Sequence, residues 1–170
     1  MTTSRRPATD AERRALASGL RLRILRLCLD EPRTNREIAQ RLDRNPATTL
    51  HHVRTLVDTG FLAAEPVRRG TRGSREIPYR ATGLSWRLDL GDETAPQVRA
   101  MLAAFLAEIA AADPERVRTS RLGLRLTRQE QKEFEQRIQA VLDEYAARPA
   151  SADGEPVSVF LSVHPDAGRT

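Results

Sequence analysis

The chain of 170 residues contains a single cysteine, Cys28. That excludes an intramolecular disulfide and any cluster of thiolate ligands within one chain. Cys28 lies in an apolar helical stretch with no histidine near it in sequence, so it reads as a small buried side chain rather than a reactive thiol. Long apolar runs are also missing. None approaches the ~18 residues of a membrane span, and the polar start Met1-Thr2-Thr3-Ser4-Arg5-Arg6 is no secretory signal. A cytoplasmic protein without membrane contact is expected. Histidine is limited to His51, His52 and His164. Neighbouring helical residues point about 100° apart, so His51 and His52 do not make the i, i+4 chelating pair that a metal needs. The carboxylates are scattered, and neither a glycine-rich phosphate loop nor a nucleophile elbow occurs. No metal, no cofactor and no enzymatic activity are expected.

Charge is abundant and unevenly placed. Residues 1–83 hold 17 arginines against 9 acids, and residues 84–170 hold 11 basic side chains against 14 acids, giving +8 and −3 of the net +5. A basic half joined to a slightly acidic one fits a nucleic-acid module linked to something else.

The organisation follows from caps and periodicity. Residues 1–9 read as a flexible basic tail. Asp10 can cap a helix from Ala11 to about Ala17, Ser18-Gly19 breaks it, and Leu20 to Leu29 forms the next. Thr34 and Glu37 have capping-box spacing and open a short helix to Leu42. After the turn Asp43-Arg44-Asn45, Pro46 opens a helix that ends at Gly60. Two strand-like runs follow, Leu62–Val67 and Arg75–Ala81, joined by Arg68-Arg69-Gly70-Thr71-Arg72-Gly73-Ser74. Pro66 and Pro78 suit a ribbon with a free edge.

Advancing about 100° per residue from Pro46 sorts the longer helix. Thr49, Leu50, Val53, Leu56 and Val57 share the inward arc. Ala47, Thr48, His51 and Thr55 face outward, flanked by Arg54 and Asp58. Small residues there allow close approach, while hydroxyls and an imidazole reach base edges or phosphates. Four arginines in one connection repel each other unless an anion lies between them. A helix, a turn, a helix and an arginine hairpin together make a winged helix-turn-helix, which carries one helix into a DNA groove. The candidate DNA contacts are Asn45, Ala47, Thr48, His51, Arg54, Thr55, Arg68, Arg69, Arg72 and Arg75. The competing reading is a winged helix that binds protein instead of DNA.

The stretches Leu16–Leu25, Thr48-Thr49-Leu50-His51-His52-Val53-Arg54-Thr55-Leu56 and Gly60-Phe61-Leu62 occur in the order of the helix entry, recognition helix and wing entry of ArsR-like regulators, and the chain resembles that family over about residues 10–83. The resemblance implies a homodimeric bacterial transcription factor on a palindromic operator, with a sensor for metal, redox state or another ligand. Thiolate metal sensors of the family carry paired cysteines where this chain has Asn35-Arg36-Glu37-Ile38, which argues against metal sensing.

Residues 84–170 read as a second domain for dimerisation or sensing. Ser85–Leu90, Arg121–Leu126 and Val157–Val163 alternate like strands. Thr94–Ala112 and the stretch opened by Thr127 and Glu130 are amphipathic helices. The expected fold is therefore α+β, a winged helix-turn-helix over 10–83 followed by a small β-α-β-α-β domain. The apolar stripe of the first of these helices suits either core packing or a dimer seam, with Ala11, Ala15, Val98, Met101, Phe105 and Ile109 as seam candidates. Trp86, Phe105, Phe134 and Tyr145 could line a pocket for an unidentified small-molecule effector or serve as ordinary core.

Overall fold

The computed structural model describes residues 5–70, 73–91 and 94–169. It mixes helices with small sheets, and the contacts divide the described residues into two compact units, one within 5–114 and one within 115–169.

The first unit begins with a two-residue strand, β1 (Arg6–Pro7), and two helices, α1 (Asp10–Leu16) and α2 (Gly19–Leu27). The flexible tail expected over residues 1–9 is corrected for 5–9, while residues 1–4 lie outside the described residues. β1 runs parallel to β7 (Leu88–Asp89), and Ala8 donates to the Asp89 carbonyl at 2.8 Å. Composition missed this because the ordering comes from a distant partner. Arg6 forks onto the Glu12 carboxylate at 2.5 and 3.0 Å, and the Thr9 amide donates to the same group at 2.7 Å. Thr9, not Asp10, is the N-cap of α1.

The next elements are β2 (Arg33–Thr34), α3 (Asn35–Arg41) and α4 (Pro46–Asp58). The Thr34–Glu37 capping box forms, and Asn45 caps α4 by accepting from the Ala47 amide at 2.8 Å. Between the helices Asp43 adopts φ +51°, a left-handed conformation that aspartate tolerates. The Asn35 amide donates to the Pro46 carbonyl at 2.9 Å, tying the start of α3 to the start of α4. Gly60 at φ +76° turns the chain out of α4.

Then come β3 (Leu62–Ala64), β4 (Arg68–Arg69), β5 (Arg75–Glu76) and β6 (Pro78–Ala81). Of the two expected strands, Leu62–Val67 ends early, at Ala64, and Arg75–Ala81 is interrupted at Ile77, while β4 falls in the stretch expected only as their connection. The hairpin is split into a base, the antiparallel sheet β2-β6-β3, and a tip, the ribbon β4-β5. β2 covers the edge that was expected to be free, with Thr34 opposite Pro78. Ile24, Leu25, Cys28, Ile38, Leu42, Val53, Leu56, Phe61 and Leu62 form the core beneath these elements.

The strand expected over Ser85–Leu90 is instead a 3-10 turn, Leu84–Arg87, leading into β7. After it, α5 (Ala95–Ile109) packs on α2 within the same unit. Its buried side chains are Gln97, Ala100 and Ala104. A Cβ on Gly19 would meet the Ala100 carbonyl at 3.1 Å, so the two backbones approach closely. Arg26 and Glu108 pair across the contact at 3.0 Å.

In the second unit α6 (Arg128–Ala146) is capped by Thr127 and Glu130 as expected, and it buries no residue. Arg121–Leu126 and Val157–Val163 do not form strands, so the β-α-β-α-β order does not arise among the described residues. Alternation gives an extended run an apolar edge, but a ladder also needs a neighbour to receive its hydrogen bonds. Leu122 and Val157 are among the most exposed apolar side chains of the chain.

Candidate nucleic-acid interface

Local sequence explains the reading helix. Thr49, Val53 and Leu56 are buried, so α4 has one committed face. That commitment turns Ala47, Thr48, His51 and Arg54 outward, all exposed. Thr55 is half-buried, and its hydroxyl donates to the His51 carbonyl at 3.1 Å. It keeps a lone pair for an outside donor. Asn45 lies at the exposed helix start, but its side-chain oxygen is used on the Ala47 amide, leaving the amide nitrogen for contact. His52 is half-buried against the helix flank, and burial pushes its imidazole below the usual histidine range, with Arg21 and His51 adding to the effect.

The tip ribbon sorts its arginines by face. Successive residues of a strand point to opposite sides. Arg68 lies opposite Glu76, and Arg69 lies opposite Arg75. Arg68 reaches Glu37 of α3, Nη2 to Oε1 at 2.5 Å. Arg69 and Arg75 are both exposed and meet no acid among the described residues. Like charges directly opposite in a ladder are unfavourable unless an anion shares them. Arg72 lies outside the described residues. The Gly70 amide donates to the Ser74 carbonyl at 2.7 Å.

The structure therefore brings Asn45, Ala47, Thr48, His51, Arg54 and Thr55 onto one exposed helix face and puts Arg69 and Arg75 on the ribbon. It separates Arg68, which pairs with protein. Sequence reading passed over Arg44, exposed in the turn immediately before the Asn45 cap, and Arg36, exposed in the first turn of α3. The signal was available. A basic side chain beside a helix N-terminus is well placed for phosphate.

Of the seam candidates, Ala15 is corrected. At 1% exposure it belongs to the core between α1 and α2 and has no surface to offer. Ala11 is exposed. Val98 and Met101 face outward on α5, with Leu102 and Leu106, at 39, 42, 40 and 60% exposure, while Phe105 and Ile109 are half-buried. The helix docks through its alanines and turns its larger residues out. The pocket candidates are divided between the units. Trp86 lies in the 3-10 turn with Arg5 over its ring at 4.9 Å, and Phe105 is on α5, whereas Phe134 and Tyr145 belong to α6. Among the described residues no three His, Cys, Asp or Glu side chains group as a metal site, and no helix is long and apolar enough to cross a membrane.

No curated protein matches the chain. A family model described as a helix-turn-helix domain matches residues 16–69, from the end of α1 through α2, α3 and α4 to β4. Residues 16–69 are thus a helix-turn-helix domain, and the first unit carries the kind of module that points to a DNA-binding regulator.

Proposed function

We propose that the protein is a sequence-specific transcriptional regulator of the ArsR-like type that binds a palindromic operator as a homodimer. The observation that carries the reading is the pairing of an outward polar face on α4 with the unneutralised Arg69–Arg75 ribbon. The helix face supplies chemistry for base edges, and the ribbon supplies guanidinium groups for phosphate. Catalysis, metal and cofactor have no part in this proposal. The first compact unit reads the DNA, and an unidentified effector would act through the rest of the chain.

The outward stripe of α5 supports the homodimer. A monomer rarely leaves large apolar side chains aligned on one exposed face, and a second copy offers the same face in return. Two copies then present two reading helices about one DNA turn apart, ~34 Å, which suits a palindrome.

The test is duplex-DNA titration at several salt concentrations. Arg69→Ala and Arg75→Ala should each flatten the dependence of log affinity on log salt by about one unit. Thr48→Ala and His51→Ala should change which sequences are preferred. Identical titrations for all four variants and the parent would overturn the DNA reading in favour of a protein-binding winged helix.

A further inference from the structure

The ribbon at the tip carries two kinds of arginine: Arg68 pairs with Glu37, whereas Arg69 and Arg75 lie opposite each other and meet no acid among the described residues. We infer that Arg68 is a positioning residue: its ion pair with Glu37 latches the wing to the first helix of the helix-turn-helix, leaving phosphate to Arg69 and Arg75. This rests on the DNA-binding reading above.

The carboxylate of Glu37 serves two partners with separate oxygens. Oε2 accepts from the Thr34 amide at 2.7 Å and from its hydroxyl at 3.0 Å. Oε1 accepts from Arg68 at 2.5 Å. The cap needs only an oxygen acceptor, which glutamine also supplies. Among the described residues Arg68 is the cation that pairs with this carboxylate, so glutamine keeps the acceptor for Thr34 and removes the charge that Arg68 meets. The anchor is firm because Thr34 is 3% exposed and sits in β2, paired with Pro78 of β6. The latch therefore joins a buried point of the domain to a ribbon of only two residues per strand. A two-stranded ribbon so short does not hold its own orientation. An exposed ion pair adds little stability, so the contribution of this one lies in where it aims the ribbon. By strand alternation, fixing Arg68 toward α3 turns Arg69 away from it.

The experiment uses the full chain with Glu37→Gln, Arg68→Ala, Arg69→Ala and the double variant Glu37→Gln/Arg68→Ala, each checked for native helix content by circular dichroism. Without DNA, hydrogen exchange of the amides at 67–69 and 75–77 should speed up equally in Glu37→Gln and Arg68→Ala. It should rise no further in the double variant and stay unchanged in Arg69→Ala. Unchanged exchange in Glu37→Gln, or additive effects, would overturn the latch. With duplex DNA, Arg68→Ala should keep the salt slope of the parent while binding several-fold more weakly. Glu37→Gln should steepen the slope by about one unit, because a released guanidinium takes a phosphate. A slope that falls in Arg68→Ala as it does in Arg69→Ala would make Arg68 a phosphate contact and overturn the proposal. If the parent binds no duplex DNA, the functional reading fails, and the exchange data still decide the latch.

Discussion

At the scale of single residues, burial sets the chemistry. Cys28 is fully buried, and burial pushes its thiol up to about 11. It sits at the C-cap of α2 as a small buried side chain, as the apolar stretch around it suggested. Glu12 is buried as well, yet charged. The Arg6 hydrogen bonds, followed by the Thr9 amide, hold its carboxyl at about 2 against an ordinary 4.5. A depressed carboxyl stabilises the fold above its unfolded value, and that contribution disappears as pH falls through the folded value. The stabilisation from Glu12 is thus complete above about pH 4.5 and lost on the way down to about 2. Glu12→Gln keeps a capping acceptor but cannot ion-pair. Urea midpoints should be lower than the parent's at neutral pH, with the gap closing between pH 4.5 and 2. A gap that is constant across this range would mean that the Arg6–Glu12 charge pair contributes nothing.

At the scale of elements, close approach decides what packs where. α5 lies on α2 through Gly19, Ala100 and Ala104. Gly19→Val places a branched Cβ against the Ala100 carbonyl, where 3.1 Å already leaves no slack for one carbon. Overpacking of this kind typically destabilises by about 1–3 kcal/mol. The urea midpoint should fall accordingly, with exchange fastest in α5, and a wild-type midpoint would show that the two helices separate freely. The same elements show what a sequence reveals. Helices with caps were legible: Thr34, Asn45 and Thr127 each open one where capping chemistry placed it. The outward face of α4 followed from its period, because the core sits on one side only. Pairing was not legible. β1, β2 and β7 are two residues each and exist through distant partners, while Arg121–Leu126 and Val157–Val163 have the alternation without the ladder. The partner of Arg68 was hidden for the same reason, since Glu37 stands 31 positions away. The amphipathic pattern of α5 gave its stripe correctly but not which side met the protein, because alanines proved to be the packing face.

At the scale of the whole molecule, that inverted helix bears directly on the proposed assembly. Met101→Asp puts a charge in the outward stripe. In an exposed monomer face it would be harmless, whereas between two copies it would be buried without a partner. The variant should keep native circular dichroism, sediment as a monomer where the parent is a dimer, and lose operator affinity at least tenfold. A parent that sediments as a monomer at micromolar concentration and still binds tightly would end the dimer proposal.

The stripe Val98, Met101, Leu102 and Leu106 also governs how the amount of protein is converted into a response. A site that needs two chains is occupied in proportion to the square of the free chain concentration whenever most chains are single. A seam of modest strength would keep the protein in that regime at low abundance. Doubling expression would then raise occupancy about fourfold, so a face that looks like a packing detail would sharpen a genetic dose response.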